Sequence, residues 1–191
     1  MHLRDFYFNC AANYPLETAY VTGSVQRTWS EVRARTDRLT GALQQLGLRK
    51  GDVSAILSHN RTEIAEHWLS CLSGGFVRTG VNWRYSKREA LHVIRDSDAK
   101  VVFIEARCLS LLEQELDELR KEGRKLVGIG SGHGLEHDYE QLIHQDHPAS
   151  FPALSDSDGA LIGSTSGSTG LPKGVLLTQG NVRESLYHQS L

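Results

Sequence analysis

The chain has 191 residues, 39% hydrophobic and 23% charged, with 21 Lys and Arg against 23 Asp and Glu for a formal charge of −2. That length suits one domain with a buried core, and that composition is ordinary for a globular fold. The near-balanced charge gives no reason to expect nucleic acid or an acidic membrane as a partner, and no run approaches the eighteen or so apolar residues of a membrane span.

Residues 5–14 predict a short helix ending before Pro15. Thr18–Thr22 and Val25–Trp29 flank Gly23-Ser24 as a β-hairpin. Ser30 is a good N-cap for a helix to Leu46, on which Val32, Leu39, Leu43 and Leu46 keep near-helical spacing and Gly47 supplies the stop. From Val53 the chain alternates. Strand Val53–Leu57 leads to a helix capped by Asn60, with Ile64, Ala65, Trp68, Leu69 and Leu72 as its apolar face and Gly74-Gly75 as its end. Strand Phe76–Val81 follows, and then a capping box, Ser86 to Glu89, opens a helix that turns Leu91 and Ile94 inward. Val101–Ile104 is a continuous apolar strand, as a sheet covered on both faces requires. Leu109, Leu112, Leu116 and Leu119 mark the next helix, Gly123 stops it, and Leu126–Ile129 is another strand.

Strand–helix units of this length predict an α/β fold with a mostly parallel βαβ sheet covered by helices. Gly130 to Gly134 is a loop, Asp138 caps a short helix over Tyr139–His144, and His147–Gly159 is a connector. The predicted organisation is an N-terminal helix, hairpin and first long helix over 1–52, a βαβ core over 53–146, and a linker with a signature loop over 147–191.

That loop, T-S-G-S-T-G-L-P-K-G-V from Thr165 to Val175, carries most of the functional signal. Gly167, Gly170 and Gly174 let backbone approach a ligand closely. Successive N–H groups in such a turn form an anion-binding concavity. Thr165, Ser166, Ser168 and Thr169 add neutral donors, and Lys173 adds a positive point charge, the usual way lysine meets phosphate. The pattern is not a Walker A loop, because no register supplies G-x-x-x-x-G-K-[ST] and Gly174 stands where the Mg²⁺-binding hydroxyl belongs. Apolar runs at Ala160–Ile162 and Val175–Leu177 make it strand–loop–strand. A flexible Gly/Ser linker would not need a Pro-Lys-Gly end between two such runs.

T-S-G-S-T-G-L-P-K-G resembles the signature loop of the adenylate-forming (AMP-forming) ligase superfamily, which includes acyl- and aryl-CoA synthetases, luciferase and peptide-synthetase adenylation domains. The resemblance extends upstream. Thr28-Trp29-Ser30-Glu31 through Leu46-Gly47-Leu48-Arg49-Lys50-Gly51-Asp52 is similar to the family's first helix and K-G-D turn. Asn60-Arg61-Thr62-Glu63 is similar to its N-x-x-E helix start. The stretch from Gly74 to Phe103 is similar to its G-A-x-x-x-P-x-N-x-R … D-S-x-A-K-V segment, although Thr79-Gly80 stands where Pro-Leu is usual.

The resemblance implies an enzyme of the acyl-CoA synthetase type. It would activate a carboxylic acid with ATP and Mg²⁺ as an acyl-adenylate and pass it to coenzyme A. Thr165, Ser166, Gly167, Ser168, Thr169, Gly170 and Lys173 would hold the phosphates, with Lys173 also catalytic. Glu31, Asn60 and Arg84 match recurrent family positions and are expected to be structural. In the family the adenine pocket, the ribose-binding aspartate and the mobile C-terminal domain lie further downstream. The expectation is therefore an N-terminal fragment, incomplete for catalysis by itself. A peptide-synthetase adenylation domain and a non-catalytic module remain alternatives, and the acid is not specified.

Other constellations point elsewhere. Gly128-x-Gly130-x-Gly132-x-Gly134 lacks the helix that a dinucleotide fingerprint must open. His133, His137, His144 and His147 lie mostly in loop, so no metal site is expected. No G-x-S-x-G elbow marks Ser166 or Ser168 as a nucleophile. Cys10, Cys71 and Cys108 are odd in number and widely spaced. They read as reduced thiols, and with no signal peptide visible in residues 1–15 a cytoplasmic protein is expected.

Overall fold

The computed structural model describes residues 2–165 and 170–189. Helix α1 (Leu3–Asn13) and the antiparallel hairpin β1 (Thr18–Thr22) and β2 (Val25–Thr28) come first. Helix α2 (Trp29–Gln45) is capped by Thr28, two residues earlier than the Ser30 cap predicted. The Thr28 hydroxyl accepts the Glu31 N–H, and the Glu31 carboxylate accepts the Thr28 N–H at 2.8 Å. This reciprocal pair satisfies two orphan amides at once, which Ser30, already inside the helix, could not do.

The alternating region forms β3 (Val53–Leu57), α3 (Thr62–Gly74), β4 (Val77–Val81), α4 (Lys87–Asp96), β5 (Ala99–Glu105) and β6 (Lys125–Ile129). The Ser86–Glu89 capping box is in place at the head of α4. The helix predicted over Leu109–Leu119 is instead a series of short turns. Tight turns at Ala106–Cys108 and Glu113–Glu115 bracket α5 (Leu109–Leu112), and α6 (Leu116–Lys121) follows. The 3₁₀ turn Glu113–Glu115 falls between the two leucine pairs, Leu109 with Leu112 and Leu116 with Leu119, each of which lies in its own short α-helix. Leu112 and Leu119 are fully buried. Short strand β7 (His137–Asp138), α7 (Tyr139–His144), β8 (Gly159–Thr165), β9 (Lys173–Thr178) and α8 (Gln179–Gln189) complete the order.

Seven strands make one sheet in the order β7-β6-β5-β3-β4-β8-β9, parallel throughout except for the final β8–β9 pair. The chain steps from β3 to β4, then returns past β3 to β5. Right-handed crossovers in opposite directions place α3 and α4 on opposite faces. Two cores follow. One joins α2, α3 and α7 to the sheet through Leu39, Leu43, Cys71, Ile56, Phe103 and Tyr139. The other joins α4, α5 and α6 to it through Ala90, Ile94, Leu57, Ile104, Leu112 and Leu119. The predicted parallel, helix-covered sheet is the observed one. Among the described residues no helix is long and apolar enough to cross a membrane.

Helix α3 departs from its predicted orientation. Leu72 is buried as expected, but the residues buried with it are Glu63, Glu66, His67, Ser70, Cys71 and Ser73. The Thr40 hydroxyl reaches the Ser70 hydroxyl at 3.1 Å, and the Arg35 guanidinium reaches Glu66 at 2.7 Å. Polar groups can be buried when their hydrogen bonds are made, and here α2 supplies partners for Glu66 and Ser70, while His67 bonds Ser54 of β3. Ile64, Ala65 and Trp68 are thereby turned toward an open cavity. Asn60 does not cap the helix either; Arg61 holds the N-cap position without a side-chain bond.

Candidate phosphate-binding hairpin and the adjoining groove

β8 ends at Thr165 and β9 begins at Lys173, and these two residues face each other in register. The Thr165 hydroxyl donates to the Lys173 carbonyl at 3.3 Å, clasping the loop at its base. Ser166, Gly167, Ser168 and Thr169 lie outside the described residues. Gly170 has φ +87°, a region that side-chain-bearing residues rarely adopt. The Pro172 carbonyl lies 3.0 Å from His92 Nε2, which ties the returning limb to α4. A Cβ at Gly174 would stand 3.0 Å from Ile162 Cγ2, so glycine allows that limb to lie against β8. Lys173 is exposed and, with His92, Asp96, Leu171, Pro172 and Gly174, borders a cavity of about 370 Å³. Of the seven residues predicted to hold phosphate, Thr165, Gly170 and Lys173 are thus placed at the two feet of one loop. Chemically, these feet offer a hydroxyl and an ammonium group that an anion can use.

A groove runs from this hairpin across the carboxyl ends of the parallel strands, where open α/β sheets bind ligands. Ser58 and Asn60 after β3, Asn82, Trp83 and Arg84 after β4, and Ser164 on β8 border a cavity of about 410 Å³. Arg84 lies 4.2 Å from the Trp83 ring centroid and Trp83 lies 4.3 Å from the His59 ring. Such stacking holds a guanidinium without neutralising it. Arg78, from the middle of β4, projects into the same space, and sequence reasoning did not single it out. Its one signal is an arginine at an inward position of a short, covered strand.

Beyond the groove, buried Glu105 anchors the β3–α3 loop. It accepts from the His59 N–H at 2.8 Å, from the Ser58 hydroxyl at 3.1 Å and from His59 Nδ1 at 2.9 Å. Burial opposes its ionisation, but these bonds outweigh burial and hold the carboxyl below its ordinary value.

Residues 7–190 match the AMP-binding enzyme family. The chain belongs to that family. It is 29% identical to crotonobetaine/carnitine–CoA ligase of Shigella sonnei, over 99% of this chain and 38% of that protein. It is 31% identical to 3-methylmercaptopropionyl-CoA ligase of Ruegeria lacuscaerulensis, over 87% of this chain and 33% of that one. A solved, provisionally named long-chain-fatty-acid CoA ligase from Rhodopseudomonas palustris superposes with a TM-score of 0.89 at 31% identity, covering 98% of this chain and 47% of that structure. The chain therefore spans 33% and 38% of the two curated relatives named here.

For this AMP-binding family member, Glu31 completes the capping box of α2. Asn60 and Arg84 both line the groove, and the Arg84 backbone N–H donates to Asn82 Oδ1 at 3.0 Å. Among the described residues His59, Glu105 and Cys108 bring a nitrogen, an oxygen and a sulfur within 4.8 Å of one another. Glu105 is already occupied by the three donors above, and burial pushes the Cys108 thiol up, with Glu105 adding to it. A thiol held protonated beside a carboxylate whose Oε2 already takes three donors reads as a loop clamp. Of the histidine cluster, His133 bonds Asp138 Oδ2 at 3.0 Å and fixes the turn before α7.

Proposed function

We propose that this chain carries the phosphate-binding part of an AMP-forming carboxylate–CoA ligase. The observation that carries this reading is the β8–β9 hairpin, with exposed Lys173 and Thr165 paired at the feet of a glycine- and hydroxyl-rich loop. In the proposed reaction a carboxylate oxygen of the acid attacks the α-phosphorus of ATP, taken as its Mg²⁺ salt. An acyl–phosphate bond forms and the bond to pyrophosphate breaks. The coenzyme A thiol then attacks the acyl carbon, and AMP leaves with the bonding pair. Charge grows on the departing pyrophosphate, so fixed donors around it are the main help a protein can give. Thr165, Ser166, Gly167, Ser168, Thr169 and Gly170 would supply hydroxyls and amides, and Lys173 the positive charge.

Calorimetric titration of the chain with MgATP is the direct test. The expected result is saturable binding that Lys173→Ala weakens by tenfold or more with the fold retained. Absence of ATP binding, or binding indifferent to Lys173, would sink the assignment.

A further inference from the structure

Arg78 is a cation without an anion. It sits on β4 between Ser54 of β3 and Leu161 of β8, on the sheet face that α3 covers. A Cβ at Gly80 would lie 3.5 Å from both its Nη1 and its Nη2. The guanidinium is therefore folded along the strand, over the space that glycine leaves, toward the carboxyl ends of the sheet. Its buried Nε has no hydrogen-bond partner. Its recorded neighbour on the α3 side is the Trp68 ring, 5.9 Å away. Buried His67 does not compensate. It bonds Ser54 Oγ through Nε2 at 2.8 Å, leaves Nδ1 unpartnered, and is held neutral by burial and by Arg78 itself.

Two cavities, of about 540 and 410 Å³, meet at this guanidinium. The larger is walled by Ile64, Ala65, Trp68 and Leu161. The smaller runs on to Ser164, one residue before the foot of the phosphate loop. Among the described residues Arg61, Arg78 and Arg84 line the pair, and no aspartate or glutamate does. Arg61 spends its charge on Glu63, at 2.7 Å. Arg78 has no such outlet among the described residues. The residue is half-buried and its buried Nε goes unpaired, which is costly, so its presence beside an open apolar wall points to a ligand that brings the counter-charge.

We infer that Arg78 binds the second anionic group of a dicarboxylic acid whose chain lies along Ile64, Ala65 and Trp68. This rests on the acid-activating reading above and names the class of acid. The walls are apolar and the volume suits an organic ligand, since such sites measure about 300–1,000 Å³. A compact inorganic anion would leave that wall uncovered. The charge on Arg78 is the distal one. Leu161, its neighbour, stands four residues before Thr165, and strands rise roughly 3.3 Å per residue, so the loop base is about 13 Å along the sheet. The reacting carboxylate must lie by the loop. The folded guanidinium shortens the gap to a span that a medium-length dicarboxylate can bridge.

The test titrates the 191-residue chain with suberate, with octanoate (the same chain length, one carboxylate) and with inorganic phosphate, by calorimetry. Arg78→Met and Arg78→Lys are run alongside, with circular dichroism confirming the fold. Charge-assisted hydrogen bonds of this kind correspond to about ten- to a hundredfold in affinity. Suberate should bind the wild type at least tenfold more tightly than octanoate or phosphate. Arg78→Met should erase that preference, and Arg78→Lys should keep part of it, having charge without the planar fork. The inference is overturned if octanoate or phosphate matches suberate, if none binds, or if Arg78→Met binds suberate unchanged. MgATP binding is read in the same preparations. If it persists and depends on Lys173 while suberate fails, the Arg78 inference falls alone. If ATP also fails to bind, the phosphate-loop reading falls with it.

Discussion

Helix α3 separates two charges, one fully buried and one half-buried, whose surroundings are opposite. On its α2 side Glu66 is fully buried and accepts four hydrogen bonds. They come from Tyr20 at 2.7 Å, from Arg35 at 2.7 and 3.0 Å, and from Tyr139 at 2.8 Å. Those donors arrive from the hairpin, α2 and α7, so one carboxylate ties three elements to α3, and Arg35 continues to Glu140 of α7 at 2.6 Å. Burial, with Glu66 adding to it, raises both tyrosines above their ordinary values and keeps them as donors. On the other side Arg78 has none of this, and burial lowers its guanidinium from its usual value. A carboxylate has about four acceptor sites, and Glu66 fills them. Full pairing marks a group that builds the frame. Missing partners mark one that the fold tolerates for another purpose, the usual trade of stability against function.

Breaking the paired side should have the largest effect. Glu66→Ala leaves Arg35 half-paired and two tyrosine hydroxyls empty in a dry site, which should cost about 3–5 kcal/mol. Urea unfolding monitored by tryptophan fluorescence measures it, and a loss under about 1 kcal/mol would show that the network is not structural. Next comes Lys173→Ala in the adenylate-forming enzyme that contains this hairpin. Removing one preorganised contact to developing charge costs about 2.7–4 kcal/mol, or roughly 10²–10³ in rate. Pyrophosphate release reads this, while the thermal midpoint should barely move. On the unpaired side the sign reverses. Arg78→Met replaces a partnerless cation with a flexible apolar chain against Ile64 and Trp68, and should leave stability unchanged or raise it by about 1 kcal/mol or more. A clear loss of stability would mean that Arg78 has partners in solution and that the contrast with Glu66 is false.

Much of the parallel sheet was legible in the sequence because apolar runs alternate with capped helices, and a run such as Val101–Ile104 means the same thing wherever it packs. The two charges were not. Glu63, Glu66, His67 and Ser70 read as the wet face of an amphipathic helix, since periodicity registers polarity and cannot register that other elements supply partners. Ile64, Ala65 and Trp68 then read as the core face, and their true neighbour, a cavity with an arginine in its floor, was hidden by the same error. The signature loop was legible from residue types alone: glycines, hydroxyls and one lysine in a short run need no tertiary information to suggest an anion. The single helix expected over Leu109–Leu119 failed more locally, because the break falls at Glu113–Glu115, where no glycine or proline marks it.

The smallest expected effect concerns Glu105, a third buried charge and one of the well-partnered kind. Its folded-state carboxyl is held below its ordinary value: burial works against ionisation, while the His59 amide, the His59 ring and the Ser58 hydroxyl outweigh it. A lowered folded value means that the unfolded chain takes up its proton first as pH falls. The contribution to stability is therefore complete above the unfolded carboxyl value, about 4.3, and is lost as pH drops through the lower folded value. Glu105→Gln cannot ionise and should lack that component. Urea midpoints of the two proteins should differ most near neutral pH and converge as the solution is acidified below about 4. Parallel curves down to the acid limit would show that the carboxylate is not the clamp on the β3–α3 loop, and that full pairing of a buried charge can occur without any structural consequence.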